Sequence, residues 1–154
     1  MKKIHSQMII SQEGVSAVEF ALVLPLLMFI IFGIIEFSIL LFDYAVIINA
    51  SREGARAGIV HVHESYVSDE EIETVVLQYT AGRLINLGSP GEEPAIPLPL
   101  SRVNGDLTVT VNYTYDFLIF PDLSALLGSN AFDGDIDITG QTIMRMEDGG
   151  VNVP

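Results

Sequence analysis

No charged side chain occurs between Glu19 and Glu36 of this 154-residue chain, and Leu, Ile, Phe, Val, Met and Ala fill nearly every position between them. The wider apolar run is VSAVEFALVLPLLMFIIFGIIEFSILLF, from Val15 to Phe42. As a helix it exceeds the roughly 20 residues that cross a hydrocarbon layer of about 30 Å. Its two carboxylates lie 17 positions apart. At about 1.5 Å per residue that is roughly 26 Å, which lets them sit near opposite interfaces. The run predicts a single membrane-spanning helix near the N-terminus, its membrane part about residues 15–42.

What remains is material for one small domain. Acidic residues number 20 against 7 basic ones, a formal net charge of −13. Such a surface repels nucleic-acid phosphates, and the few Arg are scattered, so nucleic acid is set aside as a partner. The chain has no cysteine, which excludes disulfides, thiolate zinc sites, iron–sulfur clusters and a Cys nucleophile. A removable secretory signal places small residues after a shorter apolar core. This run is longer and ends in EFSILLFDY, without such a site. Lys2 and Lys3 precede the run and Arg52 and Arg56 follow it, a balance that leaves orientation open.

The helical pattern continues to residue 62. Tyr44, Ile48, Ser51, Ala55, Ile59 and Val62 recur at three- and four-residue spacing, as on one buried helical face. Small residues crowd the segment (Ala50, Ser51, Gly54, Ala55, Ala57, Gly58), so another backbone can approach closely. Asn49, Arg52, Glu53 and Arg56 form either a solvated face with weak pairing or a docking surface. A second helix starts at Ser68, which with Glu71 forms a capping-box pattern ahead of Ile72, Val75, Val76, Tyr79 and Arg83. Gly88 and Pro90 close it, and the four prolines of GSPGEEPAIPLPL hold the following chain extended.

From Asp106 the period becomes two. Leu107, Val109, Val111, Tyr113 and Tyr115 alternate with polar residues, a half-buried strand. PDLSALLG reads as a helical turn capped by Asp122. Asp135 to Met146 reads as a second strand with Ile136 and Ile138 inward, Asp135 and Asp137 outward, and Gly140 marking a bulge. The expected fold is α+β: a long N-terminal membrane-spanning helix (15–62), then a small domain (63–154) with a second helix packed on an antiparallel sheet.

Three arrangements test poorly as chemistry. His61, His63 and Glu64 (HVHE) supply too few converging ligands for zinc, which takes three or four in fixed geometry. Asp133, Asp135 and Asp137 open like a calcium loop, but its sixth position is Ile138 rather than Gly and its twelfth Met144 rather than Glu. No nucleophile elbow accompanies the histidines, so no catalytic triad is expected. No catalytic residue, metal site or cofactor is assigned. Pro25 and Gly33 interrupt the apolar helix, either as tolerated residues or as a place to kink. Glu19 stands apart, because a carboxylate within an apolar run is costly unless it snorkels or meets a positive charge.

GVSAVEFALVLPLL, then FGIIEF, then NASREGARAG, closely resembles the TadE-like proteins, minor pseudopilins of the tight-adherence (Tad, type IVb) pilus. The resemblance covers roughly residues 14–58. It implies that residues 1–14 are a prepilin-type leader. A prepilin peptidase would cut between Gly14 and Val15, leaving Glu19 at the fifth mature position with Phe20 beside it. The apolar run would then be retained as anchor and later as filament core. The resemblance also implies other Tad pilins and pseudopilins as partners, with a membrane platform and assembly ATPase acting indirectly. It implies residence in the bacterial inner membrane, leader in the cytoplasm and C-terminal domain outside.

The chemistry of the residues agrees with that account. Cleavage creates an ammonium group at Val15, and Glu19 can neutralise it in its own chain or in a neighbour. A paired charge deprived of solvent favours one axial register even where its net stabilisation is small. Two other readings stay open: a single-pass envelope protein whose outer domain binds a ligand and never enters a filament, and a membrane-tethered enzyme with its pocket around His61 and His63.

Overall fold

The computed structural model describes residues 12–62, 65–85, 93–117 and 135–146. Residues 1–11 of the expected leader (1–14), the pair His63 and Glu64, the Gly88 and Pro90 stop, the turn at Asp122, Asp133 and the chain beyond Met146 lie outside them. Two compact units are distinguished, Met1–Ile35 and Glu36–Pro154.

Helix α1 runs Gln12–Gly58, and its helical backbone passes through both Pro25 and Gly33. In the first unit its side chains are exposed almost throughout. From Glu36 onward one face becomes buried: Glu36, Asp43, Val46, Ile47, Ala50, Ser51, Gly54, Ala55 and Gly58. This face differs from the expected one. Tyr44 is exposed, and Val62 is not helical, because α1 stops at Gly58 and the chain turns into a short hairpin of β1 (His61–Val62) and β2 (Ser65–Tyr66).

The small residues of α1 have a use within the fold. A Cβ on Gly54 would lie 2.5 Å from Val76 Cγ2, and one on Gly58 would lie 2.5 Å from both Ile72 Cδ1 and Leu107 Cδ2. Helix α2 (Asp69–Thr80) and strand β4 (Asp106–Asp116) therefore press onto α1 where it has no side chains to hold them off. The close approach read from the sequence is internal packing.

Helix α2 begins as its sequence demands. The Ser68 hydroxyl accepts from the Glu71 amide and the Glu71 carboxylate accepts from the Ser68 amide, each at 3.3 Å. Together they satisfy two of the amides that a helix start otherwise leaves unpaired. Ile72, Val76 and Thr80 are its buried positions. It ends at Thr80, with Gly82 at a φ of 69° just beyond, earlier than expected. Arg83 is thus outside the helix, where its guanidinium donates to the Tyr79 carbonyl and lies 4.3 Å from the Tyr79 ring centroid.

The main sheet is antiparallel in the order β3–β4–β5, with β3 at Ser101–Val103 and β5 at Asp135–Arg145. Asn104 (φ 55°) and Gly105 (φ 80°) join β3 to β4. This is the two-residue hairpin that an Asn-Gly pair favours, since both central residues need positive φ. Asp69 ties the start of α2 to this edge by accepting from the Leu100 amide (3.0 Å) and from the Arg102 guanidinium, which also donates to the Val67 carbonyl (3.2 Å). Leu107, Val109, Val111, Tyr113 and Tyr115 are buried along β4, as their alternation predicts.

Gly140 is not a bulge. It pairs directly with Val111 in an unbroken register running from Asp106↔Arg145 to Asp116↔Asp135. Its lack of a side chain serves the layer above, because a Cβ there would sit 2.8 Å from the Ile47 carbonyl oxygen. Ile138 is buried as expected. Ile136, two residues earlier and on the same face of the strand, remains 41% exposed.

Gly140→Ala is expected to destabilise the domain by roughly 1–3 kcal/mol, the range for overpacking against groups that cannot move aside. The contact is with helix backbone rather than a side-chain tip. Urea unfolding of the detergent-solubilised full chain would read the loss as a lower midpoint with an unchanged slope.

Candidate functional site

In the first unit, the residues singled out for processing lie on regular helix. Gly14, Val15, Glu19 and Phe20 are all exposed on α1, and apart from its chain neighbours and the surrounding helix backbone nothing lies within 4 Å of where a Gly14 side chain would begin. Val15 and Glu19 are separated by one turn and so share a face. A carboxylate four residues beyond the Gly14–Val15 bond is within reach of any charge created there.

The second unit holds a group of polar residues that the sequence reading did not identify. Glu36 had been placed near a membrane interface. Here it is 1% exposed, and its carboxyl accepts a hydrogen bond from the Tyr115 hydroxyl at 3.0 Å. Two turns along the same face, Asp43 is fully buried and accepts from the Ile85 amide at 3.0 Å. Its other carboxyl oxygen, Oδ2, has no partner among the described residues. Burial pushes the Asp43 carboxyl above the usual carboxylate range, and the Ile85 amide opposes the shift.

Tyr113 and Tyr115 reach this region from alternate positions of β4. Burial, then the nearby Asp43 and Asp116 charges, pushes the Tyr113 phenol up to about 12. Tyr115 is raised further, by burial first and then by its bond to Glu36. Both phenols are neutral donors across the physiological range. Phe117 completes the cluster, with its ring edge-on to Tyr115 (centroids 5.3 Å apart) and to Phe37 (6.3 Å).

The candidate docking residues lie on the exposed face of α1. Arg52 donates to Asn49 at 3.2 Å, and Arg56 pairs with Glu53 at 2.5 Å. Hydrogen bonding to Arg56 holds the Glu53 carboxyl below its ordinary range. Asp135 and Asp137 are exposed strand residues, and Asp137 accepts from the Thr114 hydroxyl at 2.9 Å. His61 lies in the short hairpin rather than on a helix. Among the described residues no three His, Asp or Glu side chains converge.

The sequence offered one signal for the polar cluster. Glu36 and Asp43 are seven residues apart, which puts two acids on one face of an otherwise apolar helix. That spacing asks for donors on whatever packs there.

Among the described residues one helix is long and apolar enough to cross a membrane, and a small α+β domain follows it, the make-up of a single-pass membrane anchor. Within it, residues 14–56 match the family described as TadE-like protein. This agrees with the resemblance read from the residues and covers almost all of α1, while α2 and the sheet lie beyond the match. No curated protein and no solved structure matches the chain.

Tyr115→Phe removes the phenol donor from the Glu36 carboxyl and should cost about 2 kcal/mol, as for a buried hydrogen bond to an acid. Urea titration of the full chain in detergent would measure it. Asp43 should act in the opposite sense. Because its folded-state pKa is raised, it contributes stability below its ordinary pKa that is lost as pH rises through the folded value. Asp43→Asn keeps an acceptor for Ile85 without a charge. Its melting temperature should exceed that of the parent at pH 7, with the difference shrinking toward pH 4.

Proposed function

We propose that this chain is a minor pseudopilin, a structural and assembly component of a Tad (type IVb) pilus, processed by a prepilin peptidase between Gly14 and Val15. The carrying observation is the junction GVSAVEF at the head of a long apolar helix, within the stretch that matches the TadE-like family. A cut there precedes the apolar run, so the run is kept. The new ammonium at Val15 lies one helical turn from Glu19, and the two can neutralise one another within a chain or between neighbours.

The burial of Glu36 in the domain supports a shorter membrane portion than composition alone gives. Val15–Ile35 is 21 residues, or about 31 Å of helix, close to the hydrocarbon thickness of about 30 Å. The domain then stands on the extracytoplasmic side of the bacterial inner membrane. Lipid tails are about as apolar as the helix, so moving it into a filament yields little hydrophobic gain. Assembly accordingly draws on contacts with other pilins and on the platform and ATPase. Asn49, Arg52, Glu53 and Arg56 are the docking residues in this reading, and Pro25 and Gly33 are where the helix can bend during packing.

N-terminal sequencing after co-expression with the cognate peptidase is expected to begin at Val15, and an intact Met1 would refute processing. Glu19→Ala should abolish incorporation into pili while leaving membrane insertion unchanged. A single-pass binding protein that never enters a filament would tolerate that substitution.

A further inference from the structure

The outward face of α1 in the second unit changes character along its length rather than around it. Phe37, Ser38, Leu41, Phe42, Tyr44 and Ala45 are exposed, Leu41 by 64% and Phe37 by 57%. On the same face the next exposed residues are Asn49, Arg52 and Arg56. The opposite face meets polar groups much earlier, since Glu36 and Asp43 are buried against the domain's own donors. Polar partners therefore begin at Glu36 on the domain side, whereas the outward face stays largely apolar to Ala45, about 14 Å further along the helix axis.

We infer that the outward face from Phe37 to Ala45 is seated in the headgroup layer of the bilayer, so that the end of β4 at Tyr115, with Phe117 just beyond it, is held at the lipid surface. The inference rests on the reading of Val15–Ile35 as the membrane segment and extends it. Three observations favour lipid over a partner helix. The patch is exposed and follows the membrane segment directly along the sequence of α1. It is rich in aromatic residues and closes on Tyr44, an apolar ring with a polar tip, the composition enriched at membrane–water interfaces. The glycines at which another helix could come closest, Gly54 and Gly58, lie on the other face, already filled by Ile72, Val76 and Leu107.

Length points the same way. Val15–Ala45 is 31 residues, about 46 Å of helix, well beyond a hydrocarbon core of about 30 Å but near the 40–45 Å that includes the headgroups. Phe37 touches Phe117 edge-on, so a headgroup depth for Phe37 carries the strand end with it.

The chain has no tryptophan, which makes single-tryptophan variants clean reporters of depth. Leu41→Trp, Phe42→Trp, Leu27→Trp and Arg52→Trp, each in the full chain, would be reconstituted in phosphatidylcholine vesicles carrying quenchers at shallow or deep positions. The expected result is several-fold stronger shallow quenching at 41 and 42 than at 52, with deep quenching at 27. If 41 and 42 behave like 52 while 27 is quenched deeply, the headgroup seating is wrong and the anchor stands. Shielding of 41 and 42 from both lipid quenchers and aqueous acrylamide means that protein covers the face, which also overturns it. Absence of quenching at 27 removes the anchor itself, and the inference with it.

Discussion

An acid on an apolar helix must find a donor or reach water, and the Glu36–Tyr115 hydrogen bond is this chain's answer. Apolar contacts alone tolerate sliding and rotation of a helix over a sheet, because one methyl group substitutes for another at little cost. A buried carboxyl does not tolerate it, since a shift of one residue would move it off its phenol and leave it desolvated. Asp43, accepting from Ile85 two turns later, fixes the same face a second time. Between them the two acids determine which side of α1 belongs to the domain, and hence which side is left outward.

Close packing then follows from what α1 omits. Gly54 and Gly58 admit Val76, Ile72 and Leu107, and Gly140 on the sheet admits the backbone of α1 at Ile47. Ser51 shares a 2.8 Å hydrogen bond with Thr142, so even the polar residue on this face is used across the interface. The opposite face of the sheet is a ladder of cross-strand polar pairs, Thr114 with Asp137, Thr139 with Asn112 and Gln141 with Thr110. Alternation along β4 and β5 separates these two environments, and a one-residue slip would exchange them.

Much of this architecture could be read from the residues. The apolar run, the Ser68–Glu71 cap and the alternation of β4 are local signals, and local signals survive in a sequence. The stretch over residues 14–56 that matches the TadE-like family was legible in the same way, as a series of local motifs. What escaped depended on partners distant in the chain. Glu36 looked like an interfacial residue because nothing near it in sequence names Tyr115 as its donor, 79 residues away. Gly140 looked like a bulge because a glycine in a strand is ambiguous until the layer above it is known. Tyr44 sits on the outward side because the buried face is set by Glu36 and Asp43, whose donors, Tyr115 and Ile85, lie far away in the chain. The Asn-Gly turn between β3 and β4 was a legible signal that was passed over.

Because α1 serves two masters, the domain has no natural seam at the end of the greasy segment. A fragment trimmed just past the last lipid-compatible residues, at Asp43 for example, would discard Glu36 and leave Tyr115 without its acceptor. One trimmed safely upstream of residue 36 must carry Phe37, Leu41 and Phe42 bare into water. Water-soluble versions of this domain therefore inherit a sticky collar, and handling them calls for polar replacements on the outward face rather than a later starting point.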